Sequence, residues 1–157
     1  MLPPASFPAL ETLIVAGEAC PGYLVQQWSQ GRRFFNAYGP SENTVCTTIM
    51  ACTETAYAAG DGGPPIGRPI ANVQVYLLDP EQQPVPIGVP GELYVGGIGV
   101  GRGYLNRPEL TAERFIEWRT AEETMLSSHK PPPKRLYKTG DLARYLPDGT
   151  IEFPGFS

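Results

Sequence analysis

Seven consecutive residues combine groups that could bind a nucleotide and a metal ion. Residues 36–42 read Asn-Ala-Tyr-Gly-Pro-Ser-Glu, at the end of a strand-like run and at a predicted helix start. Tyr38 offers a flat face on which a base can stack. Ser41 and the free N–H groups of the turn could meet a phosphate, and Glu42 is an oxygen ligand of the kind that Mg2+ takes beside substrate phosphates. A capped turn, whose carboxylate only suits the helix dipole, explains these residues equally well.

Three other features suggest chemistry less strongly. Residues 97–103 read Gly-Ile-Gly-Val-Gly-Arg-Gly, which matches neither the dinucleotide-binding pattern nor the phosphate loop, so tight turns are expected there. Cys20, Cys46 and Cys52 have no metal-type spacing, and their odd number argues against a disulfide framework; a reduced, cytoplasmic protein is the prediction. His129 is the only histidine, so a Ser-His-Asp or Cys-His mechanism would depend on it alone.

The elements that would position residues 36–42 are predicted to form a βαβ unit. Residues 13–16 are a continuous apolar run, which is typical of a strand buried on both faces of a parallel sheet. A helix is predicted over residues 21–30, followed by a second strand over residues 33–38. Ligands usually bind at the carboxyl ends of such strands, where the loop at residues 17–19 and the turn at residues 39–42 would meet.

The second half of the chain is predicted to be β-rich. Glycine and proline occur 18 times each without a period, which favours many tight turns between short strands. The predicted elements are strands at 73–78, at 92–95 and from 137 onward, a hairpin turn at 146–150, a helix from Asn106 as cap to Phe115, and a surface loop at 119–134. The predicted fold class is α/β: the end of a parallel βαβ-type sheet subdomain (residues 1–57), followed by a small, bent, β-barrel-like subdomain (residues 58–157).

Charge and hydropathy argue against two classes of partner. The formal net charge is −4, so no basic surface suggests nucleic acid or an anionic membrane. No stretch reaches the roughly 18 to 20 apolar residues of a membrane-spanning helix.

Four motifs in order resemble one enzyme family. Residues 36–42 are similar to a core motif of the amino-acid adenylation domains of nonribosomal peptide synthetases, in the adenylate-forming superfamily that includes acyl-CoA synthetases and luciferases. Three later stretches agree: Pro-Ile-Gly-Arg-Pro-Ile at 65–70, Gly-Glu-Leu-Tyr-Val-Gly-Gly at 91–97 with its continuation to residue 111, and Tyr-Lys-Thr-Gly-Asp-Leu at 137–142. The resemblance spans almost the whole chain.

The resemblance implies a role for each nucleotide-binding position. Asn36 is similar to the residue that hydrogen-bonds the adenine amino edge, and Asp141 to the aspartate that binds the ribose diol. Tyr38 would stack on one face of the adenine, with Gly17, Glu18 and Ala19 on the other. Gly39 belongs to the same turn, Ser41 matches a phosphate-contacting hydroxyl, and Glu42 matches the magnesium ligand. Outside the motif, Asp141 would be interpreted as an ordinary turn aspartate.

The resemblance also implies an amino-acid pocket. The matching positions in this chain are Ile14, Ala16, Ala37, Val45 and Cys46. Small floor residues leave volume and apolar walls favour burial of an apolar side chain, so an aromatic amino acid is the predicted substrate. The alternative is that these five residues are only the core of a buried sheet.

The implied reaction is attack of the amino-acid carboxylate on the α-phosphate of ATP, which releases pyrophosphate, followed by transfer to the phosphopantetheine of a carrier protein. The implied partners are carrier and condensation domains and the remaining adenylation segments. The family's phosphate loop and its ammonium-binding aspartate are expected before residue 1, and its hinge and catalytic lysine after residue 157. Phe156 stands where the family has an arginine. We therefore expect the isolated 157-residue chain to be inactive. The alternatives are a fragment of an acyl- or aryl-CoA ligase and a non-catalytic gene remnant.

Overall fold

Two β-sheets form the framework of the computed structural model, which describes residues 3–53, 63–120 and 132–153. The first sheet has the order β1-β2-β3-β4, with β1 at Thr12–Val15, β2 at Arg33–Tyr38, β3 at Thr48–Cys52 and β4 at Arg68–Pro69. The second has the order β5-β6-β8-β7, with β5 at Val73–Leu78, β6 at Gly91–Gly97, β7 at Phe115–Trp118 and β8 at Lys134–Tyr145; β9 at Ile151–Glu152 pairs with β8. The α-helices are α1 at Gly22–Trp28 and α2 at Pro108–Arg114.

The predicted βαβ unit is confirmed. Strands β1 and β2 are parallel, and α1 connects them. Helix α1 is shorter than predicted because Pro21 precedes it as the N-cap and the chain leaves it at Ser29. Val25 and Trp28 of α1 pack with Phe34 of β2 in one hydrophobic cluster, which fixes the helix on one face of the sheet.

The prediction that the first strand is buried on both faces is wrong within the described residues. Leu13 and Val15 pack against the cluster under α1, but Ile14 between them is 58% exposed. Since side chains alternate between the two faces of a strand, one helix covers only every second residue. The continuous apolar run therefore has one face in the core and one apolar face open.

The helix start predicted at residues 41–42 is instead a single turn that reverses the chain. A 3-10 turn at Ser41–Asn43 is followed by Thr44 and Val45 in the left-handed region, with φ of 54° and 71°. The chain then enters β3, which is antiparallel to β2 and was not predicted. This reversal leaves Glu42 on a short turn beside the sheet rather than on a helix.

The second sheet is antiparallel throughout and buries a core of its own. Val75, Leu77, Leu93, Val95 and Ala143 face that core together with Ile66 and Ile151. Within the described residues the sheet is open, with β5 and β7 at its two edges, so the β-rich subdomain that was predicted does not close into a barrel there. The α/β fold class is confirmed.

The two sheets are joined where Gly67 meets Ile151. The N–H of Ile151 donates to the carbonyl of Gly67 at 2.8 Å, and the N–H of Ile66 donates to the carbonyl of Ile151 at 2.9 Å. Gly67 has φ of 89°, and a Cβ at this position would collide with the backbone carbonyl of Ile49. Glycine is therefore required where the first sheet touches the second. The domain boundary near residue 57 stays a prediction, although the first sheet continues to Pro69.

The predicted hairpin turn at residues 146–150 is confirmed. The N–H of Leu146 donates to the carbonyl of Thr150 at 2.7 Å and connects β8 with β9. The predicted helix cap at Asn106 is wrong: Asn106 has φ of 55°, and α2 begins only at Pro108. Residues 121–131 of the predicted surface loop, including His129, lie outside the described residues. None of the helices in the described ranges is long and apolar enough to cross a membrane.

Candidate functional site

The loop after β1 and the turn after β2 begin at the same edge of the first sheet. Val15 lies opposite Asn36 in the parallel register, so the chain leaves β1 beside Tyr38. Gly17, Glu18 and Ala19 follow there and are exposed, and Gly17 has φ of 91°. The structure therefore brings the predicted base-binding loop to the predicted base-stacking residue.

Asp141 reaches this edge from the second sheet. The hydroxyl of Tyr38 donates to Oδ2 of Asp141 at 2.5 Å. Asp141 follows Gly140, which has φ of 87°, and its N–H donates to the hydroxyl oxygen of Thr139 at 3.0 Å. Thr139 in turn donates to the carbonyl of Leu93 at 2.7 Å, which attaches this part of β8 to β6. Two residues predicted to bind adenine and ribose thus touch each other.

Tyr38 is held from both sheets. Its ring is half-buried, packs against the core of the second sheet and meets Phe153 edge-on, with ring centroids 5.2 Å apart. Burial, together with the hydrogen bond to Asp141 and the charge of that carboxylate, raises the pKa of Tyr38 far above its ordinary value. The Tyr38 hydroxyl therefore stays protonated and serves as a donor at neutral pH.

Asn36 is buried beside Tyr38 with its amide group engaged. Its side-chain nitrogen donates to the carbonyl of Pro64 at 3.2 Å and to that of Pro65 at 3.0 Å. Both donor hydrogens have partners, which leaves the side-chain oxygen as the group that can accept a hydrogen bond. An adenine amino group is a donor, so the arrangement fits the predicted role of Asn36.

Glu42 is half-buried and is hydrogen-bonded by a residue that the sequence interpretation missed. The hydroxyl of Tyr104 donates to Oε1 of Glu42 at 2.5 Å, and the hydroxyl of Tyr137 lies 3.4 Å from that of Tyr104. Burial acts to raise the pKa of Glu42, but the Tyr104 hydroxyl and the backbone outweigh it, and the pKa is lowered. Glu42 is therefore ionised at neutral pH. Ser41 beside it is exposed.

The carboxylate of Glu42 suits a metal that takes most of its ligands from elsewhere. Within residues 3–53, 63–120 and 132–153, no cluster of three or more His, Cys, Asp or Glu could hold a metal ion. Mg2+ is usually bound by one or two carboxylates together with substrate phosphates and water. One ionised glutamate beside an exposed serine hydroxyl fits that pattern.

The glycine-rich residues 97–103 pack against the turn that carries Glu42. The N–H of Gly101 donates to the backbone carbonyl of Glu42 at 2.7 Å, and the Thr44 hydroxyl donates to the carbonyl of Gly99 at 2.8 Å. A Cβ at Gly99 would lie 2.8 Å from Oδ1 of Asn43. The glycines therefore permit a close approach of two backbones. The alternating glycines before Tyr104 were the signal that could have placed it near the motif.

Three of the five predicted pocket residues fall on the apolar face that α1 does not cover. Ile14 lies opposite Phe35 in the register, and the alternation of side chains places Ala16 and Ala37 on the same face. Val45 is 71% exposed, and Cys46, which follows it before β3, is half-buried. In the described part of the chain, Ile14 and Val45 are thus not core residues, while Ala37 is buried.

The chain is similar in sequence to enzymes that bind AMP. A family model described as AMP-binding enzyme matches residues 2–105. Chondramide synthase cmdD of Chondromyces crocatus is 51% identical over 154 residues, which cover 98% of this chain and 4% of that protein. Bacitracin synthase 3 of Bacillus licheniformis is 52% identical over 146 residues, which cover 93% of this chain and 2% of that protein. The chain therefore spans a small part of the length of these relatives.

Two solved structures share the fold. The N-terminal subdomain of Klebsiella oxytoca NpsA, in complex with 3-hydroxybenzoyl-AMSN, matches with a TM-score of 0.76 and 28% identity over 92% of this chain and 35% of that one. NpsA-ThdA, an artificially fused adenylation–PCP di-domain from Klebsiella oxytoca, matches with a TM-score of 0.80 and 27% identity over 97% of this chain and 27% of that one. These matches confirm the family indicated by the four motifs, and the role of each residue stays a prediction.

Proposed function

We propose, since this chain belongs to the AMP-binding enzyme family and corresponds to part of a nonribosomal peptide synthetase adenylation domain, that it contributes the residues that bind adenine, ribose and Mg2+. The enzyme that contains them would activate an amino acid with ATP. The observation that carries the proposal is the 2.5 Å hydrogen bond from Tyr38 to Asp141. It joins two motifs that lie 103 positions apart, on different sheets.

The nucleotide would be bound by groups with distinct tasks. The ring of Tyr38 stacks on the adenine, with Gly17, Glu18 and Ala19 on the other side, and the Asn36 side-chain oxygen accepts from the adenine amino group. Asp141 is exposed and can accept from both ribose hydroxyls in charge-assisted hydrogen bonds. These contacts orient ATP so that the substrate carboxylate meets its α-phosphate, with pyrophosphate as the leaving group.

The turn after β2 would bind the phosphates and the metal ion. Ser41 would contact a phosphate oxygen, and Gly39 lets the turn pass close to β3, since a Cβ there would lie 2.6 Å from the backbone nitrogen of Thr47. Glu42 would hold Mg2+, whose charge offsets the negative charge that develops on the phosphates. The Glu42 carboxylate is ionised at neutral pH, as any glutamate of ordinary pKa is, and so can serve as a metal ligand.

The substrate of the proposed enzyme is an aromatic amino acid. Ile14, Ala16 and Ala37 share an apolar sheet face, and Val45 and Cys46 precede β3, which pairs with β2. Transfer of the aminoacyl group to a carrier-protein phosphopantetheine, with condensation domains as further partners, belongs to the same proposal. The activity is proposed for the enzyme that contains this segment, because the chain covers only 35% and 27% of the two solved chains. Inactivity of the 157-residue chain alone and a cytoplasmic location remain predictions.

ATP–pyrophosphate exchange with a panel of amino acids tests the substrate class. The full-length protein should respond most strongly to phenylalanine or tyrosine, and Ile14→Asp, at a 58% exposed position of the same sheet face, should abolish that response without changing AMP binding. A preference for a charged or very small amino acid would contradict the aromatic substrate. Asp141→Ala, which should weaken AMP binding, tests the proposed nucleotide site separately.

An aryl acid is the second candidate substrate. It is favoured by the complex of Klebsiella oxytoca NpsA with 3-hydroxybenzoyl-AMSN, whose acyl group has no α-amino group. An apolar sheet face would suit such a ring equally well. Exchange with 3-hydroxybenzoate but not with phenylalanine or tyrosine would select this candidate.

A further inference from the structure

We propose that Tyr104 is a positioning residue for the Glu42 carboxylate, and that its hydroxyl orients this carboxylate for Mg2+; this inference rests on the proposed function of Glu42. The geometry behind it is the 2.5 Å hydrogen bond from the Tyr104 hydroxyl to Oε1 of Glu42. A hydrogen bond to one carboxylate oxygen fixes the plane of the group and leaves Oε2 available as a metal ligand.

Tyr104 is itself fixed in place. Its ring meets Phe115 edge-on, with centroids 5.5 Å apart and an interplanar angle of 71°. Its N–H donates to the hydroxyl oxygen of Thr111 at 2.9 Å, and its own hydroxyl lies 3.4 Å from that of Tyr137. The donor to Glu42 therefore has a defined position before any ligand binds, which lowers the conformational entropy lost on metal binding.

The Tyr104 hydroxyl is separable from what holds the backbone of the turn. The turn is attached independently through Gly101 N–H to the carbonyl of Glu42 at 2.7 Å and through the Thr44 hydroxyl to Gly99 at 2.8 Å. Removing only the hydroxyl of Tyr104 leaves both contacts and the ring packing on Phe115. The change then acts on the orientation of the Glu42 side chain.

A neutral donor suits a carboxylate that must also bind a cation. In the described residues, the hydrogen bonds to the Glu42 carboxylate come from tyrosine hydroxyls, and the guanidinium of Arg114 acts on it only through its charge. A salt-bridge partner would neutralise the charge and compete with Mg2+, whereas a hydroxyl orients the oxygen and keeps the full negative charge. Removing a partner of this kind typically weakens metal affinity about 10- to 100-fold.

Calorimetric titration of ATP at a series of Mg2+ concentrations tests the inference on the full-length protein. We expect Tyr104→Phe to shift the Mg2+ midpoint to about 10-fold higher concentration and to leave the affinity for AMP without Mg2+ unchanged. The matched control is Tyr145→Phe, which removes a tyrosine hydroxyl that donates to the carbonyl of Val75 at 3.0 Å, away from Glu42. The control should not move the midpoint.

Three results separate the inference from the proposal beneath it. A Tyr104→Phe midpoint within about twofold of the unchanged protein, or an equal shift in Tyr145→Phe, overturns the inference, as does an equal loss of AMP affinity in Tyr104→Phe. Glu42→Gln should remove most of the Mg2+ dependence. If Glu42→Gln leaves that dependence intact, Glu42 does not bind Mg2+ and the proposed function of this residue fails together with the inference.

Discussion

Two tyrosine–carboxylate pairs connect the sheets, and the tyrosine belongs to the first sheet in one pair and to the second sheet in the other. In the first pair, Tyr38 comes from the first sheet and Asp141 from the second. In the other, Glu42 follows the first sheet, and Tyr104 follows β6 of the second. Both hydrogen bonds are 2.5 Å long.

The pairs differ in what holds them in place. Tyr38 lies at the end of strand β2, and Asp141 lies within β8 where the register with β6 shifts between Glu92 and Tyr94, so strand pairing on both sides of that irregularity sets their positions. Glu42 and Tyr104 lie outside the strands, and the close packing of residues 97–103 on the turn sets theirs. Under the proposed function, base recognition would thus lie on the strands and metal binding on the loops, so we expect substitutions to disturb the two separately.

Gly67→Ala should disrupt both pairs and gives the largest expected effect. An added Cβ collides with the carbonyl of Ile49, and φ of 89° is unfavourable for alanine. We expect the free energy of unfolding to fall by about 3–5 kcal/mol, measured by chemical denaturation followed by circular dichroism. Gly88→Ala is the matched control: Gly88 has φ of 83° but nothing within 4 Å of the added atom. Equal losses of unfolding free energy in the two variants would show that the close contact of Gly67 with Ile49 does not contribute to the effect.

Asp141→Ala should weaken only the base and ribose pair. The lost charge-assisted hydrogen bonds predict AMP binding about 10- to 100-fold weaker by calorimetry, with little change in unfolding because the side chain is exposed. Asp79→Ala removes a carboxylate that accepts from the N–H of Gln83 at 2.8 Å, away from the pair. It should leave AMP binding unchanged. An Asp141→Ala protein that binds AMP normally would remove this pair from the nucleotide site.

Tyr38→Phe should have a smaller effect on the same pair and sharpens the contrast with Tyr104. The ring that would stack on the base remains, and only the donor to Asp141 is lost, so AMP binding should weaken about 2- to 5-fold. The Mg2+ midpoint should stay where it is. Calorimetry on both variants checks this, because Tyr38→Phe should change only the AMP affinity and Tyr104→Phe only the Mg2+ midpoint. A Tyr38→Phe protein with a shifted Mg2+ midpoint would show that the pairs are coupled.

Asp148→Asn should have the smallest effect, at the turn that leads β8 into β9. The backbone N–H and hydroxyl of Thr150, with the charge of Arg68, lower the pKa of Asp148 below its ordinary 3.8. A lowered folded pKa means that the stabilisation is complete above the unfolded pKa and is lost as pH falls through the folded one. Thermal melts of the two proteins should therefore differ slightly at about pH 6 and coincide near pH 2. A difference in melting temperature that persists in acid would show that its cause is not the charge of Asp148.

The sequence indicated the elements better than their contacts. Strand β2 was predicted at its observed bounds because the apolar and aromatic run ends sharply at Gly39. Strand β3 was missed because the chain reverses through left-handed Thr44 and Val45, which are residue types that rarely adopt that conformation. Local pattern gave no warning of this turn, since the contacts that stabilise it come from residues 97–101.

The candidate site divides in the same way. Tyr38, Glu42 and Asp141 were identified through their motifs, and the structure brings Tyr38 to Asp141. The partner of Glu42 was not identified, because Tyr104 lies 62 positions away and reaches it only through the packing of two loops. Contacts between distant loops depend on the tertiary fold, so single-sequence patterns cannot supply them.

The open face of the first sheet has a consequence for how such enzymes diversify. Leu13, Val15 and Phe34 pack under α1, whereas Ile14 and Ala37 belong to the opposite face. Under the proposed function, mutations on that opposite face would change which molecule is accepted and leave the cluster under α1 intact. One strand would thus be free to vary on one side and constrained on the other, so that new specificities could arise in this scaffold by single substitutions.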